Sequence, residues 1–137
     1  MKPLCRKAIP LLACLLIAGC ATGNHTRVLT DFDSGREITL AVGAVFTVEL
    51  PGNRTTGYGW RERSEGNSVV EKLSGPAYVQ SATPFGMVGV GGTESWQFRT
   101  LKAGRQVLRF EYARPWEMKV APVKTVTFNL TVGEDSR

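Results

Sequence analysis

The sequence predicts an all-β domain, and three observations support this fold class. From residue 37 onward, the apolar residues recur with a period of two rather than the 3.6 of a helix. β-Branched and aromatic residues supply most of these apolar positions, whereas glycine, proline and asparagine cluster between the alternating segments. No part of this region carries the apolar repeat of a long helix. We therefore expect short strands that are joined by turns.

Four strands are predicted in the first half of this region. The second is the clearest, because Phe46, Val48 and Leu50 share one face while Thr47 and Glu49 share the other. The fourth is expected in two pieces, since a glycine–proline pair, which favours a turn, interrupts it. The residues that mark the four strands in order are Ile38 with Leu40, residues 46–50, Trp60, and residues 69–73 with 77–80 on either side of Gly75-Pro76.

Three more regularly alternating strands follow. The last is the most regular, because four apolar residues of one parity alternate with threonine and asparagine. The inward residues of the three strands are Trp96 and Phe98, then Leu108, Phe110 and Tyr112, and finally Val126, Phe128, Leu130 and Val132. Seven short strands with this spacing are typical of a two-layer β-sandwich of immunoglobulin type. We expect it to form without a disulfide, because all three cysteines precede residue 21.

The composition gives no support for nucleic acid as a partner. The formal net charge of +5 falls to +2 when Lys2, Arg6 and Lys7, which begin the chain, are set aside. Nucleic-acid-binding domains usually carry a clustered basic face, and a surplus of this size supplies none. The 137 residues suit one globular domain, since two would be too small to build separate cores. We expect that domain to be a monomer.

Residues 1–19 have the pattern of an export signal. Their start is positively charged, and the apolar stretch 8–18 is shorter than the ~20 residues that a membrane-spanning helix needs. The sequence Leu16-Ile17-Ala18-Gly19-Cys20 resembles the lipobox of bacterial lipoproteins. This resemblance implies cleavage before Cys20 and acyl chains, such as palmitate, on that residue. The alternative is ordinary secretion with cleavage near residues 18–21.

Lipidation predicts a location on a membrane, because two or three acyl chains exceed what stable anchoring requires. Ala21, the residue after the cysteine, resembles the outer-membrane choice in Gram-negative sorting. The expected location is therefore the cell envelope, with the outer membrane as the anchoring site. Small and polar residues follow, which predicts a flexible tether over residues 20–35 and a folded domain over residues 36–137.

The reactive residue types argue against an enzyme. After processing, the one remaining cysteine carries lipid, and the only histidine, His25, lies in the expected tether. No Ser/His or Cys/His relay can be assembled, and neither a metal site of the usual Cys/His type nor a cofactor is expected. The acidic residues Glu49, Glu62, Glu94 and Glu111 lie within or beside alternating segments, where we expect them on solvated strand faces.

Three long loops are expected at the same end of the sandwich. If consecutive strands run antiparallel, residues 51–59, 81–93 and 114–123 emerge together, while the other end carries short turns. Binding residues concentrate on loops that a rigid scaffold displays, so we expect function at this end. Taken singly, each loop also has a structural interpretation: a hairpin, slack supplied by glycine, or Trp116 packed on the sheet edge.

Together the three loops resemble the chagasin family, which inhibits papain-like cysteine proteases. The family pattern has, in order, an Asn-Pro-Thr-Thr-Gly-(Tyr/Phe)-x-Trp loop, a Gly-x-x-Gly-x-Gly-Gly loop and an Arg-Pro-(Trp/Phe) loop. This chain offers residues 53–60, 86–92 and 114–116 in the same order, and the resemblance covers roughly residues 38–132. Arg54 stands where the family pattern has proline, so we expect a less rigid first loop.

The resemblance implies a reversible, tight-binding inhibitor whose three loops form a wedge in the active-site cleft, with no covalent step. It implies that the first loop covers the catalytic cysteine, that the glycine loop lies along the substrate-binding side, and that the third loop stacks on an aromatic surface. The residues that it nominates for contact with the protease are Asn53, Thr55, Thr56, Gly57, Tyr58, Gly89, Val90, Gly91, Gly92, Arg114, Pro115 and Trp116.

Two other function classes remain open from the sequence. An envelope-anchored carbohydrate-binding or adhesion module would use Trp116 and Tyr58 as a flat platform for sugar faces. A hydrolase that uses acidic residues is the other class, although no activated carboxylate pair can be recognised.

Overall fold

The computed structural model describes residues 26–66, 68–83 and 86–133. The expected export signal, Cys20, His25 and the first part of the expected tether lie outside the described residues. Among the residues that are described, no helix has the length and apolar character needed to cross a membrane.

The described residues form eight strands in two four-stranded sheets. One sheet has the order β1-β3-β6-β5 and the other has the order β2-β8-β7-β4. The strands are β1 Arg27–Thr30, β2 Glu37–Ala41, β3 Val45–Gly52, β4 Gly59–Glu62, β5 Val70–Gln80, β6 Gly92–Thr100, β7 Gly104–Ala113 and β8 Lys124–Gly133. Neighbouring strands are antiparallel except for β1 with β3 and β2 with β8. The prediction of an all-β sandwich of immunoglobulin type is confirmed.

Four phenylalanines fill the space between the two sheets. Phe46 on β3 stacks on Phe98 on β6 with ring centroids 5.5 Å apart. Phe98 meets Phe110 edge to face across the sandwich at 6.3 Å, and Phe110 meets Phe128 at 6.1 Å. All four side chains are fully buried. Since none of residues 26–133 is a cysteine, apolar packing rather than a disulfide joins the sheets.

The first strand was not expected, and the prediction of a flexible tether is wrong for residues 27–33. Strand β1 pairs in parallel with β3, and a 3₁₀ turn follows at Asp31–Asp33. Leu29 is the reason, because its side chain is buried in the core with 1% of its surface exposed. A four-residue strand with one buried residue gives too little alternation to be recognised from sequence.

The fourth predicted strand is continuous rather than broken. Strand β5 pairs with β6 on both sides of the cis peptide bond Gly75-Pro76, and two register shifts near this bond absorb the irregularity. Proline is tolerated because β5 is an edge strand, which needs fewer ladder donors. Gly75 is required by close packing, since a Cβ atom there would collide with Trp96 and the Ser95 carbonyl oxygen.

The strand directions place the three long loops at one end, which we call the loop pole. Strands β3, β5 and β7 all end there, and residues 53–58, 81–91 and 114–123 connect them to the strands that return. The described chain begins at the other end, the opposite pole, because Arg27 pairs with Phe46 near the start of β3. Thus the start of β1 and the three long loops lie at opposite ends of the sandwich.

Candidate functional site

Residues from all three loops meet at the loop pole. We refer to residues 53–58 as the first loop, 81–91 as the second and 114–123 as the third. Asn53 Nδ2 donates a hydrogen bond to the Gly89 carbonyl oxygen at 2.8 Å, which joins the first loop to the second. Arg114 Nε donates to the Thr56 carbonyl oxygen at 3.3 Å, which joins the third loop to the first. The three loops therefore form one continuous surface.

The first loop is held in shape by its own side chains. Asn53 Oδ1 accepts hydrogen bonds from the Thr55 backbone nitrogen at 3.1 Å and from Thr55 Oγ1 at 2.6 Å. Thr56 Oγ1 donates to the Asn53 carbonyl oxygen at 2.7 Å. These bonds stabilise a 3₁₀ turn at Arg54–Thr56, which Gly57 ends with a φ of 78°. Both threonine hydroxyl protons are used within the loop, so the oxygens face a partner as hydrogen-bond acceptors.

Tyrosine and tryptophan residues of the sandwich support the first loop from below. Tyr112 Oη accepts a hydrogen bond from the Asn53 backbone nitrogen at 2.9 Å, and Trp60 Nε1 donates to the Pro51 carbonyl oxygen at 2.9 Å. The Tyr112 ring also stacks on Tyr58 with centroids 5.4 Å apart. Trp60 is buried, so its place in the sequence motif reflects a role in the core. Side chains of β4 and β7 thus fix the loop to the sheet.

The third loop covers the first. The ring of Trp116 lies so close to Gly57 that a Cβ atom at this glycine would collide with it. The Arg114 guanidinium lies over the ring of Tyr58, 4.4 Å from its centroid, and forms an ion pair with Glu117 at 3.4 Å. Trp116 nevertheless keeps 66% of its surface exposed. A large aromatic surface is therefore packed against the first loop and is still exposed.

The second loop exposes an apolar tip that the sequence analysis did not nominate. Val88 is 96% exposed and Met87 is 64% exposed. Gly89 has a φ of 81°, and no heavy atom would contact a Cβ atom there, so its backbone is open to a close approach. The adjacent apolar residues Met87 and Val88 inside a glycine-rich loop could have predicted this tip from the sequence, because exposed apolar groups mark binding surfaces.

Gly91 and Gly92 are required by close packing within the protein. A Cβ atom on Gly92 would collide with the Val79 carbonyl oxygen and the Tyr78 ring, and Gly92 itself is buried in β6. A Cβ atom on Gly91 would lie 3.2 Å from the Gly52 carbonyl oxygen. Of the nominated residues at the loop pole, five are exposed: Thr55, Thr56, Gly89, Pro115 and Trp116. Six are partly exposed beside them: Asn53, Gly57, Tyr58, Val90, Gly91 and Arg114.

Glu94 contradicts the prediction of a solvated strand face. It lies on the core side of β6 with 2% of its surface exposed, and its Oε1 has no hydrogen-bond partner among the described residues. Burial raises the pKa of this carboxyl, while the nearby Arg54 guanidinium and a hydrogen bond from the Trp60 backbone oppose the rise. Sequence parity was the missed signal, since Glu94 shares the inward parity of Trp96.

Arg54 of the first loop contacts both an acidic and an aromatic side chain of the sheet. Arg54 Nε lies 3.8 Å from Glu94 Oε1, and its guanidinium lies 4.6 Å from the centroid of the Tyr78 ring. Within the described part of the chain, no three histidine, cysteine, aspartate or glutamate side chains are grouped so that they could hold a metal ion.

Comparison with known proteins gives a consistent set of similarities. The model of the chagasin family peptidase inhibitor I42 matches residues 39–132. The chain is 30% identical to chagasin of Trypanosoma cruzi over 89 residues, which cover 64% of this chain and 81% of chagasin. It is 25% identical to amoebiasin-2 of Entamoeba histolytica over 105 residues, which cover 77% of this chain and 84% of that protein.

A solved structure has a similar fold. The crystal structure of the cysteine protease inhibitor EhICP2 of Entamoeba histolytica superimposes with a TM-score of 0.71 at 22% sequence identity. The match covers 79% of this chain and 96% of that one. The eight-stranded sandwich is therefore an architecture that a protein of divergent sequence also adopts.

Proposed function

The chain belongs to the chagasin family of peptidase inhibitors, and from this premise we propose that its three loops enter and block the active-site cleft of papain-like cysteine proteases. The chain is a cysteine protease inhibitor and not an enzyme. What we propose beyond this is the manner of inhibition: reversible binding by a preformed wedge, with no covalent bond between the two proteins.

The convergence of three loops on one exposed surface carries the proposal. Hydrogen bonds from Asn53 to Gly89 and from Arg114 to Thr56 hold the loops to one another before any partner arrives. Ordering side chains and loops on binding costs about 0.5–1.5 kcal/mol for each flexible side chain, so a prearranged surface avoids much of this cost. We expect a contact of about 800 Å² on each partner, the ordinary size for a protease and its inhibitor.

Each loop supplies a different kind of contact. Trp116 offers apolar surface with few rotamers to lose, and Val88 offers an apolar tip beside open glycine backbone. The hydroxyl oxygens of Thr55 and Thr56 accept hydrogen bonds from donors around the protease nucleophile, because their own protons are already used. Since no peptide bond is presented for attack, the inhibitor leaves the cleft uncut.

The experiment that tests this mode is a titration of papain with the purified Cys20→Ser chain, with trypsin titrated in parallel. We expect papain activity to fall in proportion to added inhibitor until the two are equimolar, and trypsin to stay active. Mass spectrometry of the recovered inhibitor should show an uncut chain. Cleavage within residues 53–58, or equal loss of both activities, would contradict the mode.

The carbohydrate-binding alternative loses support from the position of Tyr58. Its ring packs against Tyr112 and lies under the guanidinium of Arg114, so it does not form an open platform with Trp116. A sugar face needs a flat, accessible ring surface. The same titration distinguishes the alternative, because a glycan-binding module would leave papain active.

We also propose that the protein is lipid-anchored in the cell envelope through Cys20, at the outer membrane. The lipobox-like sequence before Cys20 supports the anchor. The strand directions are compatible with function in this state, because the chain enters the sandwich at the opposite pole. Asn53 lies seven positions after Phe46, the partner of Arg27, along β3. At 3.3 Å per residue this is about 23 Å, so the start of β1 and the loops lie at well-separated ends of the domain.

Membrane fractionation tests the anchor. The full chain expressed in a Gram-negative host should sediment with outer membranes, and mass spectrometry should find acyl chains on Cys20. The Cys20→Ser chain should carry no acyl chain and should be absent from the outer-membrane fraction. A full chain that is cleaved, soluble and free of lipid would support ordinary secretion instead.

A further inference from the structure

We propose that Glu94 is a positioning residue for inhibition, because its buried carboxylate holds the side chain of Arg54 and thereby fixes the first loop in its binding conformation. The inference rests on the proposed function of the loop pole and adds a second layer of residues beneath it. It also gives Arg54 a role opposite to the one expected from the sequence, in which it makes the loop less rigid.

Glu94 occupies a place that a core residue would normally take. Inward positions on β6 alternate, and Trp96 and Phe98, the next inward residues, are fully packed in the core. Leu50 on β3 and Tyr78 on β5 are its neighbours across the sheet. A buried carboxylate at such a place costs free energy unless it is paired, so its presence beneath the binding surface calls for a partner.

Arg54 is the partner that reaches it. Its Nε lies 3.8 Å from Glu94 Oε1, and its guanidinium stacks on the Tyr78 ring at 4.6 Å. The side chain therefore runs from the first loop to β6 and β5, two strands of the sheet that also contains β3. The carbonyl oxygen of Arg54 accepts the hydrogen bond from the Gly57 backbone nitrogen at 3.1 Å. Fixing Arg54 consequently fixes the turn that carries the threonines.

Small residues lie around the carboxylate, and one further arginine lines the same cleft. Gly52 and Gly59 make room, since Cβ atoms there would lie 3.4 Å and 3.8 Å from Oε1. The groups on the packed elements that can carry charge are Arg54 from the first loop, Arg61 from β4, and the phenols of Tyr58 and Tyr78. Arg61 lines the same cleft, and its Nε has no hydrogen-bond partner among the described residues. Among the described residues that line this cleft, Glu94 is the only acid, and Arg54 is the cation paired with it.

Arg54→Pro is a matched control, because the backbone conformation around Arg54 is already one that proline can adopt. Arg54 is the first residue of the 3₁₀ turn, where a proline lacks only a nitrogen–hydrogen group that the turn does not use. Asn53 before it is extended, with φ −133° and ψ 100°, as the residue preceding proline must be. Arg54→Pro should therefore fix the same turn through the chain itself, without help from Glu94.

The test compares Glu94→Gln in two backgrounds, the natural chain and the Arg54→Pro chain. In the natural background we expect Glu94→Gln to raise the inhibition constant for papain roughly three- to tenfold, the effect of freeing one long side chain. The free energy of unfolding should stay the same or increase, because a buried ionisable group has been removed. In the Arg54→Pro background, Glu94→Gln should leave the inhibition constant unchanged.

A second measurement reports the contact without any protease. A ¹³C NMR titration of the Glu94 carboxyl should show a higher pKa in Arg54→Ala than in the natural chain, because the guanidinium no longer favours the ionised form. An unchanged pKa would overturn the pairing, as would an equal effect of Glu94→Gln in both backgrounds. If the natural chain failed to inhibit papain, the proposed function would fall, whereas the titration would still decide whether Glu94 holds Arg54.

Discussion

The ring of Trp116 lies directly on the backbone of Gly57, so the third loop closes over the turn of the first. The contact makes the two motifs dependent on each other, although Trp116 lies 59 positions after Gly57 in the chain. It also explains why both residues are needed: the tryptophan needs a surface without a Cβ atom, and the turn needs a residue that accepts a φ of 78°.

Replacing Trp116 with alanine should weaken inhibition of papain by roughly 2 kcal/mol, the usual cost of truncating a central aromatic anchor. Stability should change little, because two thirds of the side chain is already exposed. The inhibition constant measures the effect. Val42→Ala at the opposite pole, where the side chain is 43% exposed, is the control and should inhibit normally.

Gly57→Ala and Gly43→Ala separate backbone strain from the contact with Trp116. The two glycines have nearly the same φ, 78° and 80°, but only Gly57 has a neighbour within reach of a new Cβ atom. We expect both variants to lose about 1–2 kcal/mol of unfolding free energy from the left-handed conformation. Only Gly57→Ala should also lose inhibition. Equal inhibition constants for the two variants would contradict a role for the Trp116 contact.

Asn53→Asp tests the bond between the first and second loops. Aspartate keeps the oxygen that accepts from Thr55 but lacks the amide that donates to the Gly89 carbonyl oxygen. We expect weaker inhibition by about 1 kcal/mol, the net contribution of one hydrogen bond. Amide hydrogen exchange should quicken in the second loop while Thr55 stays protected. In Asn53→Ala, amide exchange should quicken both in the second loop and at Thr55.

Val88→Ser tests whether the apolar tip of the second loop enters the cleft. The side chain is 96% exposed, so the free energy of unfolding should stay within ±0.5 kcal/mol of the natural value. The inhibition constant for papain should nevertheless rise, because apolar area would no longer be buried against the protease. Val42→Ser at the opposite pole, where the side chain is 43% exposed, is the matched comparison and should leave the inhibition constant unchanged. An unchanged inhibition constant for Val88→Ser would place the tip outside the contact.

The buried carboxyl of Glu94 should make stability depend on pH in a defined direction. Its pKa is raised in the folded state from the ordinary value of 4.5, so the folded protein binds this proton more tightly than the unfolded chain. The contribution to stability is therefore present at low pH and is lost as the pH rises from 4.5 through the folded pKa. The loss amounts to about 1.4 kcal/mol for each unit of the rise.

Urea unfolding of the natural chain and of Glu94→Gln between pH 4 and pH 8 measures this effect. The advantage of the glutamine variant should grow across that window and then become constant. A difference between the two chains that does not change with pH would contradict the raised pKa.

The parity of apolar residues allowed most of the sandwich to be predicted. In β8, Val126, Phe128 and Leu130 are all buried as their alternation predicts. Alternation succeeds because successive side chains of a strand point to opposite faces, which is a local property of the backbone. Strand β1 was missed because Leu29 is its only fully buried residue, and one residue defines no period.

Glu94 was missed for a different physical reason. Its parity matched that of Trp96, but its charge argued for a solvated face, and the pleat of the sheet prevailed over the preference of the side chain. The structure offsets part of the cost with Arg54, a residue 40 positions away that no local pattern connects to it.

The sequence by itself determined the fold class and the three loop motifs, because both depend on residues that are close together in the chain. Only the tertiary structure decided that Trp116 packs on Gly57 and that Arg54 pairs with Glu94. It also decided that Gly92 is buried against Tyr78 and does not lie on the exposed surface. These relationships join residues that the chain brings together only when the two sheets pack. Contacts of this kind depend on distances across the folded molecule, which spacing along a sequence does not specify.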